Sequence, residues 1–106
     1  MINFKDKKIL ITGATGGIGN ALVKKFVSLE GNILATGTKT EKLNALKKEF
    51  PNINILKFDI SDHSKIEEFI ENTSSQLAGL DVLVNNAGIN MDNLSIRMKD
   101  EEWKKV

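Results

Sequence analysis

Apolar and polar positions follow two rhythms along this chain. Short, nearly unbroken apolar runs occur at Lys8–Thr12 (KILIT), Asn32–Thr36 (NILAT), Ile53–Phe58 (INILKF) and Leu80–Val84 (LDVLV). Continuous apolar character over so few residues predicts strands buried on both faces. Between the runs, apolar residues return every three or four positions, the spacing of a helix with one buried face. Gly17–Glu30 places Ile18, Leu22, Phe26 and Leu29 inward with Lys24 and Lys25 outside, and Gly31 is expected to close that helix. Thr40 can cap a second helix carrying Leu43, Leu46 and Phe50 on one side, which Pro51 stops. Ser61 or Asp62 caps a third, with Ile66, Phe69, Ile70, Thr73 and Leu77 inward and Gly79 at its end. Asn85–Asn93 reads as a polar loop, and Lys99–Val106 opens a further helix.

The resulting order, β-α-β-α-β-α-β with short links, predicts an α/β fold: the N-terminal half of a Rossmann-type, doubly wound parallel sheet with right-handed crossovers. LDVLV is apolar but for Asp81, as suits an interior strand, so the sheet is expected to continue in chain beyond Val106. No internal repeat, low-complexity tract or linker divides the 106 residues, which suffice for one small domain.

Composition narrows the class. A hydrophobic share of 41% beside 27% charged residues fits a folded globular chain. The formal net charge of +1 gives no electrostatic footprint for nucleic acid, and the lysines scatter along solvated helix faces. Without cysteine there is no disulfide framework and no thiolate metal site. The N-terminal MINFKDKK is too charged for a signal peptide and no run reaches the length of a membrane span, so no membrane association is expected and a cytoplasmic location is the default. His63 has no second ligand-type partner nearby, and Glu67, Glu68 and Glu71 form a solvated face. No metal is expected.

The candidate chemistry lies where the first strand meets the first helix. ILITGATGGIGNAL joins an apolar run, the glycines Gly13, Gly16, Gly17 and Gly19, and a helix start. A tight glycine turn lets backbone N–H groups approach an anion without a Cβ in the way, and the helix N-terminus adds unpaired donors and a positive dipole end. This predicts a cradle for a dinucleotide pyrophosphate built from Gly13, Ala14, Thr15, Gly16, Gly17, Ile18 and Gly19.

The loop's spacing fits two registers. Gly13-x-x-x-Gly17-x-Gly19 resembles the short-chain dehydrogenase/reductase pattern, and Gly13-x-x-Gly16-x-x-Gly19 resembles that of the nucleotide-sugar epimerases. Asn85-Asn86-Ala87-Gly88 after the fourth strand resembles the short-chain dehydrogenase/reductase signature and decides for the first. The run DNLSIRMKDEEW, ending at Trp103 of this helix-opening segment, is similar to that of bacterial 3-oxoacyl-[acyl-carrier-protein] reductases. The resemblance covers the whole chain. It implies an NADP-dependent oxidoreductase reducing an acyl-carrier-protein-bound 3-oxoacyl substrate in fatty-acid biosynthesis, with residues 1–106 as an NAD(P)-binding domain and a homo-oligomeric, tetrameric assembly. Another short-chain reductase acting on a different ketone, or a non-catalytic nucleotide-binding module, is the alternative.

Cofactor choice is read at the second strand's end. An NAD-selective site usually has a carboxylate there for the adenosine ribose. Here the turn is Thr36-Gly37-Thr38-Lys39, with no carboxylate before Glu41, so Thr38 and Lys39 favour the 2′-phosphate of NADP(H) over NAD(H). One departure counts the other way: many NADP-preferring relatives carry a basic residue where this chain has Gly16. By the resemblance, Asp59 and Ile60 meet the adenine, and Asn86, Ala87 and Gly88 line the ribose side. The family's Ser and Tyr-x-x-x-Lys have no counterpart, since the chain has no tyrosine, and no catalytic residue is assigned within it.

Overall fold

A computed structural model describes residues 3–58, 68, 69, 71, 79–85 and 95–98, with backbone alone for 85 and 95–98. The elements are β1 (Lys8–Ile11), α1 (Gly17–Ser28), β2 (Asn32–Gly37), α2 (Thr40–Glu49), β3 (Asn54–Lys57), β4 (Val82–Asn85) and β5 (Ser95–Met98). They form one sheet in the order β3-β2-β1-β4-β5. β1 to β4 run parallel, in the register Ile9↔Ile33, Ile9↔Val82 and Leu34↔Asn54. The chain thus winds outward from β1 through β2 to β3, then returns to lay β4 on the other side of β1. That reversal opens a crevice at the carboxyl ends of β1 and β4.

Strand alternation divides the core between the two faces. Ile9, Ile11, Ile33, Ala35, Val82 and Val84 pack against Val23 and Phe26 of α1 and Leu46 of α2. Leu10 and Leu34 point the other way, to Phe69 and Leu80. Phe69, helical like Glu68 and Glu71, stacks on Phe58 with ring centroids 3.8 Å apart and planes 14° apart. Each buried Ile, Leu or Phe side chain contributes about 1.5–3 kcal/mol by leaving water, so both faces hold β1 at the centre. The sheet is doubly wound, as the apolar runs predict.

Four local expectations change. The buried stripe of α1 is Gly19, Val23 and Phe26, not one that begins at Ile18, which is 53% exposed. The helix leans on the loop through Gly19, and this rotates Ile18 outward. Gly31 does not supply the left-handed residue that ends α1, because Glu30 does, at φ 62°. Gly31 and Glu30 donate backbone N–H bonds to Phe26 and Val27 carbonyls at 3.0 and 2.9 Å, a complete Schellman closure. Gly31 is small for another reason: a Cβ there would lie 2.6 Å from Ile9 Cδ1. Lys39, not Thr40, is the N-cap of α2, and it makes no side-chain cap bond.

The fourth change is β5. Ser95–Met98 lies between the expected loop and the expected helix, where no strand is predicted, yet its backbone pairs antiparallel with Val82–Asn85. Ser-Ile-Arg-Met alternates polar and apolar residues, the period of a strand. It satisfies the N–H and C=O groups along the outer edge of β4, which is therefore not marginal. The predicted third helix lies mostly outside the described residues, as does the segment from Lys99.

Candidate functional site

The glycine loop is fixed by backbone bonds to the strands on either side of β1. Thr12 N–H donates to the Val84 carbonyl at 3.0 Å, and Ala14 N–H donates to the Thr36 carbonyl at 2.8 Å. Two buried hydroxyls reinforce these ties with longer bonds: Thr12 Oγ1 to the Val84 carbonyl at 3.5 Å, and Thr36 Oγ1 to the Ile11 carbonyl at 3.4 Å. Gly13 takes φ 62°, a left-handed turn that glycine adopts without steric cost, and its carbonyl accepts from Gly16 N–H at 3.4 Å. The turn thereby reverses the chain within three residues and delivers it to α1.

The four loop glycines do different work. A Cβ at Gly19 would stand 2.1 Å from the Gly13 carbonyl oxygen and 2.6 Å from Ala14 Cα, so only glycine lets α1 lie against the turn. At Gly17 a Cβ would meet nothing within 4 Å, and at Gly16 only the Gly13 oxygen at 3.8 Å. These two positions face open space. Gly16 is the N-cap, with no side-chain cap bond, and the first turn of α1 carries no acidic residue. The N–H groups of Gly17, Ile18 and Gly19 have no carbonyl four residues back within the helix. An anion in the crevice would thus meet, among the described residues, a helix terminus with no side-chain cap and no acidic residue in its first turn.

Thr15 is half-buried and leans on the end of β2, where a Cβ at Gly37 would be 2.8 Å from its Cγ2. Beyond Gly37, Thr38 and Lys39 are exposed, and Lys39 opens α2. Gly13 to Gly19, Thr38 and Lys39 all lie at the carboxyl edge of β1 and β2. Sequence reading misses Gly37 and Thr36, which it takes as turn and strand residues. The signal available was the small residue at the strand's end, uninterpretable until its neighbour is known. Asp59, Ile60, Asn86, Ala87 and Gly88 lie outside the described residues, as do His63 and Trp103. β3 and β4, which precede the first two groups in sequence, end at the same edge of the parallel sheet as β1 and β2.

Among the described residues, no cluster of His, Cys, Asp or Glu could hold a metal ion, and no helix is long and apolar enough to cross a membrane.

Comparison with known proteins agrees with this architecture. The family model for short chain dehydrogenases matches residues 7–106. The chain is 36% identical, over 99% of its length, to the 3-oxoacyl-[acyl-carrier-protein] reductase FabG of Escherichia coli, and 41% identical over its full length to that of Rickettsia conorii. It is 34% identical to nodulation protein G of a Rhizobium species. It spans 43% of the length of the two reductases and 44% of the nodulation protein. Among solved structures, a short-chain dehydrogenase from Streptomyces avermitilis superposes with a TM-score of 0.71 at 30% identity, covering 79% of this chain and 31% of that one. The chain belongs to the short-chain dehydrogenase family.

Proposed function

We propose that this chain is the NAD(P)-binding domain, residues 1–106, of an NADPH-dependent 3-oxoacyl-[acyl-carrier-protein] reductase. The observation that carries the reading is the pinned glycine turn, closed by Gly19 against Gly13 yet open in front of Gly16 and Gly17. A turn of this shape fits a pyrophosphate, since backbone N–H groups of a helix N-terminus face the anion and the first turn of α1 holds no acidic residue. Gly13, Ala14, Thr15, Gly16, Gly17, Ile18 and Gly19 hold the pyrophosphate. Thr38 and Lys39 take the 2′-phosphate by a hydroxyl bond and an ion pair, which supports NADP(H) over NAD(H). Asp59 and Ile60 bind the adenine, and Asn86, Ala87 and Gly88 bind the ribose side. When bound, the reduced nicotinamide supplies the hydride that reduces the substrate's keto carbon. Proton donation is assigned to chain outside these residues, because no tyrosine is present here.

The substrate class rests on the two FabG relatives and on DNLSIRMKDEEW. The protein is read as a cytoplasmic homotetramer acting on an acyl-carrier-protein thioester. The similarity to nodulation protein G supports a second reading, a short-chain reductase acting on another ketone. Turnover of acetoacetyl-acyl-carrier-protein with NADPH by the intact protein tests the choice. The account expects oxidation of NADPH in step with 3-hydroxyacyl product. Activity on another ketone with none on the thioester overturns it.

A further inference from the structure

Gly37 is a glycine whose backbone does not call for one. It ends β2 in ordinary strand pairing with Lys57, its carbonyl accepts from Phe58 N–H at 2.9 Å, and its φ is not positive. What excludes a side chain is Thr15. A Cβ at position 37 would sit 2.8 Å from Thr15 Cγ2, 3.0 Å from its Oγ1 and 3.5 Å from its Cβ. Rotating Thr15 does not relieve this. Two of the three positions on its Cβ face Gly37, and threonine has only one hydrogen to place in them. Any staggered rotamer leaves a heavy atom in the contact. A serine in place of Thr15 has two hydrogens there and can turn its hydroxyl away.

Position 37 shares the strand face of Ile33 and Ala35, the side on which the glycine loop sits. A side chain there would emerge between that loop and Thr38. Resting on the dinucleotide-binding reading above, we propose that Thr15 and Gly37 form a steric pair that sets cofactor selectivity. Thr15 keeps the end of β2 free of any carboxylate. With none present, nothing bonds a ribose 2′-hydroxyl from this strand and nothing repels a 2′-phosphate beside Thr38 and Lys39. Thr15 acts as a positioning residue: it decides what position 37 can hold, and position 37 decides which dinucleotide is preferred. The Ala14 N–H bond to the Thr36 carbonyl keeps the two in contact, since it fixes the loop to the strand one residue before each.

The test compares the intact wild-type protein with Gly37→Asp and with the double variant Gly37→Asp/Thr15→Ser. Each is measured by thermal denaturation without cofactor and by calorimetric titration with NADPH and with NADH. Wild type is expected to prefer NADPH. Gly37→Asp is expected to lose thermal stability and to bind both cofactors poorly. The double variant is expected to regain stability and to shift the NADPH-to-NADH ratio of Kd by about tenfold or more toward NADH, as like-charge opposition predicts. Should Gly37→Asp fail to fold, the double variant is judged against wild type on the same ratio. Two results overturn the proposal while leaving the binding reading intact: Gly37→Asp alone matching the double variant in stability and NADH affinity, or a stable double variant with the wild-type ratio. Wild type that binds neither dinucleotide overturns the binding reading itself, and this proposal with it.

Discussion

The two ends of α1 are built from similar residues to opposite effect. At its C-terminus every turn is finished from within: Leu29, Glu30 and Gly31 N–H groups return to carbonyls of Lys25, Phe26 and Val27, and Asp6 N–H covers the Glu30 carbonyl at 3.0 Å. At its N-terminus Gly16 offers no side chain and no cap bond, and a Cβ at Gly17 would meet nothing within 4 Å. One end is closed by the chain's own bonds. The other is shaped with equal care, through Gly13 and Gly19, but left without an internal acceptor. A helix end that the fold pins yet does not cap is one that a ligand can complete.

Breaking the open end should have the largest effect. Gly19→Ala sets a methyl 2.1 Å from the Gly13 carbonyl oxygen, and the backbone it meets is held by the bonds of Thr12 and Ala14 to Val84 and Thr36. We expect a loss of about 3 kcal/mol or more in denaturant unfolding, with loss of dinucleotide binding.

At the closed end the same substitution should cost less. Gly31→Ala meets Ile9 Cδ1 at 2.6 Å, and that side-chain tip can give way. The expected cost is about 1–2 kcal/mol. Ile9→Val removes the clashing carbon, so the double variant should lose less stability than the two single losses combined, read from a double-mutant cycle.

Lys39→Ala probes the far side of the crevice. NADPH affinity should fall about fivefold to tenfold and NADH affinity should hold, by titration in low salt, since an exposed charge-assisted contact is worth about 1 kcal/mol or slightly more. The smallest change is a gain. Glu30→Gly relieves a left-handed residue at the closed end and should raise stability by up to about 1 kcal/mol in thermal unfolding, leaving cofactor binding unaltered.

The contrast also separates what the sequence displays from what it conceals. Strand runs such as ILI and VLV are legible because burial on both faces demands unbroken apolar residues, and the parallel direction of β1 to β4 follows from the alternation of strands with helical links. The loop glycines are legible as a group. Their separate roles are not, because Gly17 and Gly19 look alike until a Cβ is set beside the Gly13 carbonyl. Gly31 misleads for the same reason: a glycine after a helix suggests a left-handed cap, and here it makes room for Ile9. Ile18 keeps helical spacing with Leu22, yet the tight contact at Gly19 turns it outward. Gly37 carries no pattern of its own and becomes meaningful only through Thr15, twenty-two positions earlier. Periodicity reports which face is buried, and close approach between distant backbone segments leaves no period to read.

Backbone amide chemical shifts of the isotope-labelled intact protein, followed as NADPH is added, test the central claim most directly. The account predicts that the largest changes fall on Gly17, Ile18 and Gly19, with smaller ones at Thr38 and Lys39 and none at Glu30 and Gly31. Saturable NADPH binding that leaves the amides of residues 17–19 unmoved would contradict it.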